Sequence, residues 1–160
     1  MLDGPAVEAA LSACGVTHVI WIPDSETGTW EQSLSSHPRI KLLRVCREGE
    51  AIAVAAGLLL GGQRPVVIIQ CTGLFEAGDA LRNVVHDMKL PLLLIIGLRG
   101  YNAFQKHATR DTCPIFAEPI LKAWQIPYVL LTDESSGADL QRTLSEALAG
   151  RRAGAAVIAE

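Results

Sequence analysis

Short apolar runs, rich in β-branched residues, alternate with longer helix-like segments along the whole chain. Strands that are apolar on both faces belong in a parallel sheet covered by helices on each side, joined by right-handed crossovers. The sequence therefore predicts an α/β fold over residues 1–160: a three-layer α/β/α sandwich with a mainly parallel six-stranded sheet. The predicted strands are 18–23, 40–46, 65–71, 91–97, 128–131 and 155–159, and the predicted helices are 5–14, 48–60, 75–88, 114–124 and 136–149.

Length and charge exclude several classes of protein. A chain of 160 residues fits one domain, and its net charge of −3, with no block of like charges, argues against nucleic acid as a partner. The longest apolar stretch, 90–97, is far short of the roughly 20 residues of a membrane helix. The start MLDGPAVEAAL lacks the basic and apolar regions of a signal peptide. We expect a cytoplasmic protein without a membrane partner.

The four cysteines, Cys14, Cys46, Cys71 and Cys113, are far apart and form no C-x-x-C pair. Paired ligands at short spacing are typical of zinc sites, so this pattern does not favour metal ligation. Apolar neighbours indicate small buried side chains in a reducing compartment. We expect no metal ligands in this chain.

Ligands of open parallel sheets bind at the carboxyl ends of the strands, which confines the candidate site to four places. Glu48 follows the second strand and opens a helix, where an acid could equally complement the helix dipole. Gly73, which follows the third strand, could let a ligand approach the backbone, or it could form an ordinary strand-to-helix turn. The four places are Pro23-Asp24-Ser25, Arg47-Glu48, Thr72-Gly73-Leu74 and Arg99-Gly100.

Two of these places have strong structural alternatives. Asp24 and Ser25 could cap a turn or the start of a helix. Arg99 is either a surface cation or an anion clamp, and the loop behind it is rich in polar side chains. Arg99 with Gln105, Lys106, His107 and Arg110 could form a cationic pocket, or the loop could simply be solvated.

The segment REGEAIAVAAGLLLGGQRPVVIIQCTGL, residues 47–74, resembles the pyrimidine-binding domain of thiamine-diphosphate enzymes. The glutamate that opens the helix in that superfamily and the glycine nine residues later correspond to Glu48 and Gly57. PLLLIIGLRG corresponds to the fourth strand. Within the superfamily, IPDS, EGEA, TGL and GLRG are most similar to sulfopyruvate and phosphonopyruvate decarboxylases.

The resemblance implies roles for individual residues. Glu48 would be the catalytic acid, hydrogen-bonding ring nitrogen N1′ of the cofactor's aminopyrimidine and favouring the imino tautomer that removes a proton from the thiazolium. Glu48, Thr72, Gly73 and Leu74 would bind the cofactor. Substrate binding would fall to Asp24, Ser25, Arg99, Gln105 and His107.

The diphosphate-binding half of such an enzyme is not recognisable in the sequence. Gly78-Asp79-Ala80 resembles the start of the family's Mg²⁺-binding motif, with Asn102 at a suitable distance, but Gly78-Asp79 falls inside a predicted helix. The resemblance therefore implies a separate beta subunit that supplies the Mg²⁺ and diphosphate site. Helix 48–60 has small residues on most of its surface, which indicates burial against another chain. We therefore expect self-association through the helices of this domain.

The function implied is thiamine-diphosphate-dependent decarboxylation of an anionic 2-oxo acid, with sulfopyruvate as the first expectation and phosphonopyruvate as the second. A carboligating synthase that uses the same cofactor is one alternative. A non-catalytic regulatory module of the same fold is another, because Phe75 and Glu76 depart from the Ser-Gly-Leu-Gly-Asn pattern of related decarboxylases. Phe75 would narrow the space beside the cofactor, and Glu76 would add negative charge.

Overall fold

The computed structural model describes residues 2–25 and 27–160, in which six strands form one sheet that is parallel throughout. The strands are β1 (His18–Trp21), β2 (Lys41–Arg44), β3 (Pro65–Gln70), β4 (Leu93–Leu98), β5 (Tyr128–Leu131) and β6 (Gly154–Ala159). Their order across the sheet is β2-β1-β3-β4-β6-β5. The α/β class and the six-stranded parallel sheet predicted from the sequence are confirmed.

The described residues form eight α-helices, of which the first precedes β1 and the others lie between strands. They are α1 (Gly4–Ala13), α2 (Glu31–Ser36), α3 (Glu48–Leu60), α4 (Cys71–Glu76), α5 (Gly78–Arg82), α6 (Tyr101–Gln105), α7 (Cys113–Ala123) and α8 (Gly137–Ala149). A 3₁₀ turn, Thr27–Trp30, precedes α2, and a π-helical segment, Asn83–Asp87, follows α5. None of the described helices combines the length and apolarity needed to cross a bilayer.

The helices cover both faces of the sheet, because alternate residues of each strand point to opposite sides. In β3, Val66 and Ile68 pack into a core that contains residues of α1, α2 and α8. Val67 and Ile69 pack on the other face, into a core with residues of α3, α4, α5 and α7. All four are fully buried, and burial of each such side chain contributes about 1.5–3 kcal/mol.

The segment after β3 differs from its sequence prediction. A helix was expected over 75–88, but α4 begins at Cys71, directly behind the strand, and the helical path continues through α5 and the π-helical segment. Gly73 therefore lies inside α4, where its carbonyl oxygen accepts a hydrogen bond from Ala77 N at 2.9 Å. The buried side chains of Cys71 and Leu74 hold this turn against the core, which overrides the low helix propensity of glycine.

Candidate functional site

Glu48 is the first residue of α3, and its side chain contacts α4 across the carboxyl edge of the sheet. A Cβ atom added at Gly73 would lie 2.4 Å from Glu48 Cγ and 2.6 Å from Glu48 Oε1. Those separations are too short for any real side chain, so the absence of a side chain at Gly73 makes room for the carboxyl group of Glu48. Two of the predicted site residues are thus brought into contact although they follow different strands.

The Glu48 carboxyl group is half-buried and available to a ligand. No hydrogen bond within the described part of the chain ends on it, although Arg47 is near enough for the two charges to interact. A half-buried acid that has no hydrogen-bond partner in the described part of the chain is suited to exchange a hydrogen bond or a proton with a heterocyclic nitrogen. The donor chemistry at this position therefore fits the aminopyrimidine ring implied by the sequence resemblance.

Glu76, which the sequence suggested would add negative charge to the site, is paired. Its Oε1 accepts a hydrogen bond from Arg47 Nη2 at 2.6 Å, and its Oε2 accepts one from the backbone N–H of Gly49 at 2.9 Å. The bond from Arg47, followed by that from Gly49, lowers the pKa of Glu76. Glu76 thus caps the amino end of α3, which otherwise has no side-chain cap. Through this contact it helps to hold the turn of helix that carries Glu48.

The other residues around Gly73 divide between surface and core. Thr72 is exposed at the start of α4, where its hydroxyl group is accessible. Leu74 is 1 % exposed, and its side chain belongs to the core under α3. Phe75 is half-buried and packs against the same core. Of the predicted TGL segment, Thr72 has its side chain on the surface and Leu74 has its side chain in the core.

Arg99 follows β4 and forms an ion pair with Asp111, with 2.8 Å between Arg99 Nε and Asp111 Oδ2. Asp111 also accepts a hydrogen bond from the backbone N–H of Cys113, at 2.9 Å. That backbone bond is the largest cause of the lowered pKa of Asp111, and the Arg99 guanidinium lowers the pKa further. Burial raises the pKa of the adjacent Cys113 thiol to about 12, so this thiol is protonated at neutral pH.

Asp24 performs the capping role that was the alternative interpretation of its position. Its Oδ1 accepts a hydrogen bond from Thr27 N at 2.8 Å, and its Oδ2 accepts one from the Thr27 hydroxyl group. Thr27 Oγ1 in turn accepts a hydrogen bond from Trp21 Nε1 at 3.1 Å. This chain of bonds fixes the loop behind β1, and the neighbouring Ser25 is exposed.

The polar segment behind β4 contains a short helix, α6, which the sequence had indicated as loop. Gln105 ends this helix and is exposed, as are Lys106 and His107. His107 has a positive φ of 54° and closes the turn, with its N–H bonded to Phe104 O at 2.9 Å. The predicted substrate-binding residues Gln105 and His107 therefore lie on the surface of this segment.

One polar pair at the carboxyl edge was not identified from the sequence. Gln70, the last residue of β3, donates from Nε2 to Glu160 Oε2 at 3.0 Å. Gly97 of β4 admits the pair, because a Cβ atom there would lie 2.3 Å from Glu160 Oε1. Gln70 Oε1 is buried and has no hydrogen-bond partner in the described part of the chain. The sequence feature that could have identified this pair is Gln70 itself, a polar residue at the end of an otherwise apolar strand.

Gly78 and Asp79, which superficially resemble the family's metal motif, lie in α5. Asp79 Oδ1 pairs with Arg82 Nη2 at 2.9 Å, and Gly78 faces the ring of Trp124. Over residues 2–25 and 27–160, no group of three or more His, Cys, Asp or Glu side chains is arranged to hold a metal ion.

Curated relatives and solved structures resemble the chain to different extents. The sulfopyruvate decarboxylase subunit alpha of Methanococcus maripaludis is 30% identical over 123 residues, which cover 77% of this chain and 73% of the relative. A phosphonopyruvate decarboxylase of Streptomyces viridochromogenes is 35% identical over 100 residues, which cover 62% of this chain but only 25% of that protein. The crystal structure of benzoylformate decarboxylase from Polynucleobacter necessarius superposes with a TM-score of 0.74 over 99% of this chain and 30% of its own, at 18% identity.

A family model covers most of the chain. Residues 4–117 match the family described as thiamine pyrophosphate enzyme, N-terminal TPP binding domain. The match includes β1 to β4 with α3 and α4, and therefore both sides of the contact between Glu48 and Gly73. This chain belongs to the thiamine pyrophosphate enzyme family, as a member with its N-terminal TPP-binding domain.

Proposed function

We propose that this chain is the alpha subunit of a two-subunit, thiamine-diphosphate-dependent decarboxylase that acts on an anionic 2-oxo acid. Sulfopyruvate is the first candidate substrate and phosphonopyruvate the second, in line with the names of the relatives above. The observation that carries the proposal is the half-buried Glu48 carboxyl group, seated over Gly73 and without a hydrogen-bond partner in the described part of the chain.

Glu48 is the proton-handling residue in this proposal. Its carboxyl group would hydrogen-bond ring nitrogen N1′ of the aminopyrimidine and move a proton at that atom. The cap that Glu76 places on α3 would fix the position of the carboxyl group. The cofactor, when bound, supplies the nucleophile and the electron sink that decarboxylation of a 2-oxo acid requires. Thr72, Gly73 and Leu74 would bind beside it, Thr72 through its exposed side chain and the buried Gly73 and Leu74 through their backbone.

The second anionic group of the substrate needs a cation, and Arg99 is proposed for that role with Gln105 and His107. Its guanidinium group has five N–H donors, of which Nε–H is bonded to Asp111 and one on Nη2 contacts Cys113 Sγ at 3.9 Å. Donors therefore remain for a sulfonate, phosphonate or carboxylate group. Ser25 and Thr72 would border the reacting carboxylate, and Asp24 would hold the loop that carries Ser25.

A beta subunit is proposed to bring Mg²⁺ and the diphosphate site, because the Methanococcus relative is itself a subunit alpha. The docking surface is a groove of about 490 Å³ between α3 and the α5–π-helical segment. Its exposed residues include the small Ala53 and Gly57, and Leu60 and Met88, which are 67% and 46% exposed. A groove of this composition favours close packing of another helix, from the beta subunit or from a second copy of this chain.

A cytoplasmic location is part of the same proposal. It is supported by the four cysteines, which are all free thiols.

The alternative of a non-catalytic regulatory module loses its main support, which was the departure of Phe75 and Glu76 from the family pattern. Glu76 binds Arg47 and the backbone of α3, so its charge is compensated. Phe75 packs against the core. Both departures from the family pattern therefore have structural roles that are compatible with an active site.

The proposal is tested by co-expressing the chain with its candidate beta subunit and assaying loss of CO₂ from sulfopyruvate and phosphonopyruvate with thiamine diphosphate and Mg²⁺. Glu48→Gln is the test variant. Glu50→Gln, in the same turn of α3 but exposed, is the matched control. We expect activity that requires both chains, falls by roughly 10²-fold or more in Glu48→Gln and is retained in Glu50→Gln.

Cofactor binding without turnover would redirect the search to other 2-oxo acids or to carboligation. A complex that forms without binding the cofactor would refute the decarboxylase assignment.

A further inference from the structure

A second cleft lies at the opposite, amino-terminal edge of the sheet, among the residues that precede β4, β5 and β6. Its volume is about 320 Å³, within the size range of small-molecule sites. This amino-edge cleft is defined by the polar lining residues His86, Lys89, Gln125, Arg151 and Arg152. It is separated from the carboxyl edge by the length of β6, roughly 20 Å for six residues.

The charge in the amino-edge cleft is of one sign. Lys89, Arg151 and Arg152 line it, and none of its described lining residues is acidic. Asp87, close in sequence, is bound to Arg82 with 2.6 Å between Oδ2 and Nη1. In a chain with a net charge of −3, three cations that share a cleft without a carboxylate make a local site of positive potential.

Backbone conformation gives an independent indication. Four non-glycine residues of the described chain have positive φ, and three of them line this cleft: Lys89 at 55°, Gln125 at 52° and Arg151 at 49°. Glycine is the usual residue in this conformation at a helix end. It occupies the equivalent position after α1 and α3, as Gly15 and Gly62. Side chains that keep a strained backbone where glycine would be relaxed point to a role for those side chains.

The carbonyl groups at the end of α8 do not hold the side chains of Arg151 and Arg152 by hydrogen bonds. The last carbonyl groups of α8 already accept backbone hydrogen bonds, from Arg151 N to Leu148 O at 3.0 Å and from Arg152 N to Ala147 O at 3.2 Å. On the opposite wall, His86 Nε2 bonds to Trp124 O at 2.6 Å, which fixes the imidazole ring. The guanidinium and ammonium groups therefore remain available to a ligand.

We propose that the amino-edge cleft binds a small phosphate-type dianion, such as inorganic phosphate or a phosphorylated metabolite, through Lys89, Arg151 and Arg152. Guanidinium groups bind two oxygens of such an anion at once, and an ammonium group adds a point charge. The side chains of Gln125 and His86 add polar contacts at the rim. This site is independent of the decarboxylase assignment, because none of its residues belongs to the carboxyl edge.

The test is titration of the isotopically labelled chain with inorganic phosphate. Backbone amide shifts are followed, with chloride at matched ionic strength as the reference. We expect saturable shifts at Lys89 and Arg151–Ala153. The variants Lys89→Gly and Arg151→Gly remove a cation while relaxing the backbone, so both should fold at least as well as the parent. Each should weaken phosphate binding by roughly tenfold or more.

Arg39→Ala is the charge-matched control. Arg39 is exposed and precedes β2, on the far side of the sheet, and its loss should leave phosphate affinity unchanged. Thermal melts of each variant verify the fold. The proposal is overturned if phosphate gives no saturable shifts at the cleft, if chloride reproduces them, or if Arg151→Gly binds as tightly as the parent chain.

Discussion

The Glu48 carboxyl group occupies the space that a side chain at residue 73 would need. With 2.4 Å between Glu48 Cγ and the position of a Cβ atom at Gly73, the two residues are a complementary pair. Gly73 lies within α4 and does not have a positive φ. Glycine is therefore required at this position because of the contact with Glu48, and not because of its backbone conformation. The position of the proposed proton-handling residue is therefore set by a glycine that follows a different strand.

Gly73→Ala tests this pair through stability. Alanine is the better helix former, so without the clash the substitution would be neutral or stabilising. With Glu48 present, we expect overpacking to lower the free energy of unfolding by about 1–3 kcal/mol. In a Glu48→Ala background the penalty should disappear. Urea denaturation of the single and double variants measures this coupling.

Gly28→Ala serves as a control, because a Cβ atom at Gly28 would meet nothing within 4 Å. Equal destabilisation by Gly73→Ala in both Glu48 backgrounds would show that the clash is with other atoms. In the loaded complex, Gly73→Ala should also reduce turnover by about 10²-fold, since small displacements of a catalytic group are costly.

The sheet could be predicted from the sequence because its central strands are continuous apolar runs. β5 and α3 match their predicted bounds, and the other strands differ by at most two residues at either end. The short helices α2 and α6, with six and five residues, were missed because neither is long enough to show a helical repeat. The start of α4 was misplaced because Gly73 resembles a turn residue until its contact with Glu48 is known.

The candidate site was only partly accessible to sequence reasoning. Glu48 is a candidate from the sequence because it follows a strand and opens a helix. Its support by Glu76 depends on a residue 28 positions away, and neither spacing nor charge pattern reveals that pairing. The ion pair of Arg99 with Asp111 is also a tertiary contact, between a strand end and the residue pair before α7.

Glu76 should make stability depend on pH. Its pKa in the folded chain is below the ordinary value of 4.5, so the folded state binds fewer protons than the unfolded state. The stabilisation is complete above about pH 5 and is lost as the pH falls through the folded pKa. Glu76→Gln should therefore be less stable than the parent chain near pH 7, with the two curves converging in acid.

Thermal melts between about pH 3 and pH 7 measure this difference. Glu134→Gln, at an exposed carboxylate with no hydrogen bond in the described part of the chain, is the control and should follow the parent curve. A constant offset between Glu76→Gln and the parent at every pH would contradict the linkage and leave only a packing effect.

Asp111→Asn should release Arg99 for an anionic ligand. Asparagine retains an oxygen for the backbone N–H of Cys113, while the charge that competes with a substrate anion is removed. We expect the KM for sulfopyruvate to fall by a few-fold, whereas Arg99→Ala should raise it by roughly tenfold or more, with smaller changes in kcat. Steady-state kinetics of the two-chain complex provides the measurement. Unchanged KM in Arg99→Ala would remove Arg99 from the substrate site. Arg142→Ala, at an exposed arginine of α8 that is also ion-paired with an aspartate, is the matched control.

Leu60→Asp should weaken association with a partner chain. Leu60 is 67% exposed at the end of α3 and borders the groove that also contains Gly57 and Met88. A carboxylate there would have to be desolvated on docking, which we expect to reduce affinity for the beta subunit or for a second copy by more than tenfold.

Leu43→Asp, on the edge strand β2 and 37% exposed, introduces the same charge away from the groove. Sedimentation velocity of each variant, alone and with the beta subunit, distinguishes the surfaces. If Leu43→Asp dissociates the complex and Leu60→Asp does not, the interface lies at the β2 edge and the groove beside α3 has another use.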